Sequence, residues 1–200
     1  MKTKLSIDAW KYQKIYSKQG YLTKKDIPPS RYGENKELDK KWDKYGKSYF
    51  SDSQKRGTYD FIYMLTCQQN IKSIVDIGCG HNHLINFLAN NCMKELKLSR
   101  NLVGVDIACP EADVIAAAHN LPFPDNKFDL LLSFDCMEHI PEEEVDMSLK
   151  EFERVSSMIL LEITLAHSPT KIDNEPVHVC VKSKEWWVKK LEKYFNNVHV

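Results

Sequence analysis

Two hundred residues and 23.3 kDa give room for one domain with a substantial core. Hydrophobic residues at 42%, charged residues at 28%, 7 Gly and 8 Pro are ordinary globular values, which excludes a disordered, collagen-like or low-complexity chain. The net charge of zero conceals an asymmetry, because residues 1–60 hold 15 Lys and Arg against 8 Asp and Glu, while the remainder holds 13 against 20. Apolar runs such as FDLLLSF (128–134) are far shorter than the about eighteen residues of a membrane span. The Lys-rich start MKTKLSIDAWKYQK lacks the apolar stretch of a secretory signal, so a cytoplasmic location with no membrane partner is expected. Cysteines 67, 79, 92, 109, 136 and 180 form no C-x-x-C and no zinc-type spacing with His; reduced thiols and no metal site are expected.

In chain order, residues 1–52 read as a basic, aromatic-rich extension or lid, and 53–200 as the main domain. Trp10, Tyr12, Tyr16, Tyr21, Tyr32, Trp42, Tyr45, Tyr49 and Phe50 are interleaved with Lys. That pattern suits either an anion-binding, ring-stacking surface or helical faces that pack onto the domain. DIPPSRYGEN (26–35) interrupts any helix at Pro28 and Pro29. Spacing of Tyr59, Ile62, Tyr63 and Leu65 predicts a helix within 53–70. Beyond it, short β-branched runs alternate with helical patterns: SIVDIG, NHLINFLANNCMKEL, NLVGVDI, ADVIAA, FDLLLSF, EEEVDMSLKEFERV, MILLEIT, KEWWVKKLEKYF and NNVHV. Such alternation predicts an α/β, Rossmann-like fold, with a mostly parallel sheet covered by helices on both faces. Ligands of such sheets bind beyond the carboxyl ends of the strands, so functional residues are expected just after the apolar runs.

The most informative segment is IVDIGCGHNHL (74–84), which ends a strand with an acid and turns through two glycines into a helix. Gly78 and Gly80 allow a tight turn against which a ligand can lie, and the helix that follows directs unpaired N–H groups at it. A dinucleotide fingerprint needs a third glycine where His83 stands, and a pyrophosphate gains nothing from Asp76. A ligand with a cationic end fits better. Together with Asp106 closing VGVDI, LPFPDNKFDLLLSF and DCMEHIP, the segment resembles the ordered motifs of class I S-adenosylmethionine (SAM) dependent methyltransferases of the small-molecule, type 11 branch. The resemblance runs from about Ile74 to Val155.

That resemblance implies SAM as cofactor, S-adenosylhomocysteine as product, and a cofactor site of Asp76, Gly78, Gly80, Asp106, Ile107, Ala118, Leu121 and Phe134. Ala117 stands where the family often has an acid for the adenine amino group, which shifts that contact to the backbone near Ala118 and His119. No Pro-Gly-Gly turn precedes MILLEIT, and the chain stops at NNVHV. A sheet one strand short at its C-terminal edge is therefore expected, with Val177 to Val181 as extended chain near the active site. His139 and His178 are the candidate catalytic bases, among the carboxylates and imidazoles of Asp135, Glu138, His139, His167 and His178. His81 and His83 are expected to shape the glycine turn. Glu142, Glu143 and Glu144 suit the first turn of a helix, and at least one of Trp186 and Trp187 suits the core.

The function these features imply is methyl transfer from SAM to O or N of a small polar acceptor such as a sugar, nucleotide or similar metabolite. The basic front keeps a phosphorylated acceptor open; nucleic acid is possible but not favoured, and the lack of an N/D-P-P-Y tetrad for a flipped base lowers DNA base N-methylation specifically. The alternative is a SAM-binding scaffold of weak turnover that docks nucleic acid or a partner subunit, motivated by Ala117 and the short sheet. His83 and Asp76 disfavour a nicotinamide oxidoreductase.

Overall fold

Runs of Val, Ile and Leu buried on both sides dictate the centre of this molecule. The structure is a computed structural model that describes residues 71–96, 101–172 and 174–200, together with residues 61, 62, 65, 66 and 69. Strand β1 (Ile74–Ile77) is buried at every position, and β4 (Phe128–Phe134) at all but Asp129 and Phe134. With β2 (Leu102–Asp106), β3 (Val114–Ile115) and β5 (Ser156–Glu162) they form one sheet in the order β3-β2-β1-β4-β5, every pair parallel. Successive side chains alternate faces, as period two requires. Val75, Ile77 and Leu131 enter one core with α2 (Glu142–Val155) and Trp187. Ile74, Leu130 and Leu132 enter the other, with Leu84 and Leu88 of α1 (His83–Leu96) and with Ile62. This is the α/β arrangement with helices on both faces that the alternating runs predict.

Growth of the sheet reverses between β1 and β4, which opens a crevice beyond their carboxyl ends. Helix α2 closes one side of it. Val145, Leu149, Phe152 and Val155 recur three or four apart and are buried, while Glu142, Glu143 and Glu144 occupy its first turn, where the helix dipole favours acids. Arg154 in its last turn ties down the LPFPD loop. Its guanidinium donates to the carbonyls of Phe123 at 2.7 Å and Leu121 at 3.1 Å, and to the carboxylates of Asp125 and Glu151. At the opposite end of the sheet, the Asp129 carboxylate accepts from the Lys72 and Ser73 N–H groups and from the Ser73 hydroxyl, which sets β4 against the entry to β1.

The tail differs from expectation in one respect. Helix α3 (Lys184–Leu191), capped by the Ser183 hydroxyl, is followed by a turn, and NNVHV forms no strand. Val200 is 74% exposed, and so short a run buries too little apolar surface to offset the ordering of an edge strand. The sheet thus has five strands among the described residues, and Lys171–Ile172 (β6) and Glu175–Pro176 (β7) make only a small separate ladder. Residues 177–181 do run without a strand partner beside the crevice, tethered by Val179 N–H and Cys180 N–H to the Glu138 carbonyl, both at 2.9 Å. The helix expected within 53–70 is seen at Phe61, Ile62, Leu65 and Thr66. The extension of residues 1–52, with its aromatics and Pro28–Pro29, lies outside the described residues. Among those described, no helix is long and apolar enough to cross a membrane.

Phe152 is fully buried where α2 meets the sheet. Phe152→Ala should lower unfolding free energy by about 3–5 kcal/mol, read as an earlier urea midpoint, because its cavity cannot collapse between packed layers.

Candidate functional site

The turn after β1 brings backbone rather than side chain to the crevice. Gly78 has φ +79° and Gly80 φ +51°, and a Cβ on Gly78 would lie 2.5 Å from the Cys136 sulfur. Both the left-handed geometry and the close approach of the β4 exit therefore require glycine at 78. Asn82, at φ +61°, completes the turn before α1, in keeping with the tolerance of asparagine for that conformation. Its amide donates to the Asp113 carboxylate at 3.0 Å, which joins this turn to the loop after β2.

Two acids end the neighbouring strands. Asp106 is held by three backbone N–H groups: Ala108 and Cys109 donate to Oδ1 at 2.8 Å, and Gly80 donates to Oδ2 at 3.1 Å. Asp76 is buried at 5% exposure. Burial first, and then the charge of Asp106, push its carboxyl up to about 7.

Beside them lies a cavity of about 250 Å³. Of the cofactor residues expected from sequence, Gly78, Asp106, Ile107 and Ala118 line it, and so does the candidate base His139. Asp76 and Gly80 stand behind this wall, Gly80 through its bond to Asp106. Leu121 is instead a core residue against α2, its N–H donating to Glu151 at 2.8 Å, and Phe134 packs onto the second core. Ala117 and His119 also face the cavity. His119 pairs with Glu144 at 3.1 Å, a partner that sequence reading placed only in a helix first turn.

The far wall carries the acid–base groups. Asp135, at φ +48°, accepts from the Thr164 hydroxyl at 2.8 Å. The rings of His139 and His178 meet edge to face at 4.7 Å, although 38 residues separate Val177 from His139, whose Nδ1 lies 2.9 Å from the Val177 carbonyl. His178 Nδ1 lies 2.7 Å from the Ala166 carbonyl. A carbonyl can only accept, so each Nδ1 carries a proton, and in a neutral His139 ring Nε2 carries the lone pair. Burial lowers the His139 pKa, which keeps the ring neutral near pH 7. His167 is exposed. Glu138 is fully buried, its pKa raised by desolvation; Oε1 accepts from Thr164 N–H at 3.3 Å, while Oε2 has no hydrogen-bond partner among the described residues. Ligand atoms of Glu138, His139 and His178 lie within 4.8 Å of one another, a donor set that suits a divalent cation. Linear spacing hid this grouping, because the third member arrives on the tail segment. A second such grouping, His81, Cys109 and Glu111, stands beside the glycine turn.

Comparison with known proteins agrees with this geometry. Residues 75–157 match a family model described as a methyltransferase domain. Among solved structures, the PH0226 protein from Pyrococcus horikoshii OT3 superposes with a TM-score of 0.52 at 20% identity, over 78% of this chain and 89% of that one. The small RNA methyltransferase HEN1 superposes with a TM-score of 0.50 at 12% identity, over 70% of this chain and 21% of that one. The [4+2]-cyclase SpnF is a weaker match, with a TM-score of 0.43 at 17% identity and 68% of this chain covered; the matched region spans 57% of SpnF. No curated protein sequence matches. The chain thus has the class I methyltransferase fold, and its resemblance to the type 11 branch is borne out over residues 75–157.

A carboxyl whose folded pKa lies near 7, against 3.8 in an unfolded chain, binds more protons in the native state between those values. Stability of the ligand-free protein should therefore be highest below about pH 4 as far as Asp76 contributes, and fall as pH rises through about 7. Asp76→Asn should flatten that part of the profile of melting temperature against pH; an unchanged slope contradicts the assignment.

Proposed function

We propose that this chain is a SAM-dependent methyltransferase acting on a hydroxyl or amine of a small polar acceptor. The observation that carries the reading is the Asp106 carboxylate, fixed by three N–H groups and facing the cavity beside the Gly78 turn. The residues present fit such a cofactor. Asp106 can accept from ribose hydroxyls, Ile107, Ala116 and Ala118 offer apolar surface to a flat ring, and the buried acid Asp76 suits a ligand with a cationic end. Bound there, SAM supplies a methyl group already activated on a sulfonium.

The protein then has to orient the acceptor and take its proton. His139 lines the cavity, is held by the Val177 carbonyl with its lone pair on Nε2, and is neutral near pH 7. It is the base in this reading, and His178 positions it through the ring contact. Asp135 and the His119–Glu144 pair add polar groups to the same wall.

A second reading is favoured by the unpartnered Oε2 of Glu138 and its grouping with His139 and His178. There a divalent cation held by these three would act as a Lewis acid toward an acceptor hydroxyl, and a nucleic acid, which offers ribose hydroxyls, is a candidate acceptor; one solved structure of similar fold is named a small RNA methyltransferase. The basic front of the chain suits such a polyanion. Retention of SAM without turnover would favour the scaffold alternative.

Asp106→Ala should weaken SAM binding by about 1.5–3 kcal/mol, roughly ten- to a hundredfold by calorimetry, the value of hydrogen bonds to a charged group. His139→Ala should keep SAM binding and lose about 10²–10⁴ in turnover. In the parent, the acid limb of the rate profile should fall below pH 6.5, because burial depresses the imidazole. Treatment with a chelator separates the two readings: unaltered turnover supports the histidine base, and loss restored by a divalent cation supports the second.

A further inference from the structure

The cavity and its far wall leave one side-chain cluster unused. His81, on the turn after β1, meets Cys109 and Glu111, on the loop after β2. Glu111 Oε2 lies 3.4 Å from His81 Nδ1 and 2.9 Å from Cys109 Sγ, and Cys109 Sγ lies 3.7 Å from His81 Nδ1. Bond lengths of about 2.0–2.3 Å around a tetrahedral zinc place its N, O and S ligands about 3.3–3.7 Å apart. The two contacts of His81 already have that spacing. The third is a thiol hydrogen bond, which disappears when the thiol gives up its proton to a metal. Cys109 is fully buried, while the His81 and Glu111 side chains keep 14% and 21% exposure, which leaves a route for an ion and a vertex for water.

We propose that His81, Cys109 and Glu111 form a binding site for a borderline-soft divalent cation of the zinc class. One sulfur and one imidazole select such an ion over magnesium or calcium, which take oxygen ligands. Binding releases the Cys109 proton to solvent and moves the His81 proton from Nδ1, which faces Glu111, to Nε2, so that a thiolate, a carboxylate and a neutral imidazole meet the dication. The site is separate from the Glu138 grouping and does not depend on the assigned methyl transfer. Its place gives it a structural consequence. Gly80 N–H donates to Oδ2 of Asp106 and Cys109 N–H to its Oδ1. An ion joining His81 to Cys109 and Glu111 therefore staples together the two loops that hold this carboxylate.

The test is titration of the full chain with cobalt(II), followed by zinc competition. Cobalt bound to a thiolate gives a sulfur-to-metal charge-transfer band in the near ultraviolet, which the sulfur-free set of Glu138, His139 and His178 cannot produce. The expected result is one equivalent of band per chain, abolished by Cys109→Ser, bleached by zinc and retained in Cys180→Ser. His81→Ala, which removes a partly exposed ligand and spares the core, should weaken zinc binding by at least roughly ten- to a hundredfold, the loss that even outer-shell changes cause. Absence of the band from the parent overturns the site, as does a band that survives Cys109→Ser or zinc affinity that His81→Ala leaves unchanged. A thiol–carboxylate–imidazole hydrogen-bond cluster without metal is then the correct description.

Discussion

Two carboxylates end adjacent parallel strands inside this protein, and the surroundings of the site are arranged around that repulsion. Asp76 and Asp106 stand at the carboxyl ends of β1 and β2, where side chains of the sheet otherwise enter an apolar core. Burying one charge in such a place is costly, and burying two close together costs more. The structure resolves the conflict unequally. Asp106 receives three backbone N–H groups, whereas Asp76 is driven toward its protonated form. Such an arrangement suits the ligand proposed for it, with hydroxyls at one end and a cation at the other.

The remaining elements keep that receptor in place. Gly78 allows the exit of β4 to approach within contact of the first turn, so Cys136 backs the peptide that a ligand would touch. Arg154 draws the loop of residues 121–125 onto α2 and so fixes the segment that brings Ala116 to His119 to the cavity. The tail, which adds no strand, hooks over the Glu138 carbonyl and delivers His178 to His139.

The alternation of strand and helix and the glycine turn were legible in the sequence because they rest on local signals. Two-sided burial makes IVDI and FDLLLSF nearly continuous apolar runs, and a left-handed turn selects Gly78, Gly80 and Asn82 one by one. Groupings that join loops from different strands left no such trace. His119 with Glu144, His139 with His178, and His81 with Cys109 and Glu111 are brought together only by the parallel sheet, which sets the ends of distant segments side by side. The expectation of no metal rests on linear spacing, which carries no trace of such groupings. Leu121 and Phe134 show the opposite limit: an apolar residue next to a motif reads equally well as lining or as core, and here both pack inward. For NNVHV, alternation suggested a strand, but so short and exposed a run offers little apolar area to support one.

The central claim is that the buried pair of acids awaits a cationic nucleoside. Carboxyl-detected nuclear magnetic resonance can follow the side chain of Asp76 through a pH titration, alone and with saturating SAM. The account predicts an inflection near 7 in the free protein, as burial beside Asp106 dictates, and a clear downward displacement once the ligand's positive charge is close. An inflection near the ordinary 3.8 in the free protein, or one that does not move when SAM is bound, would contradict it.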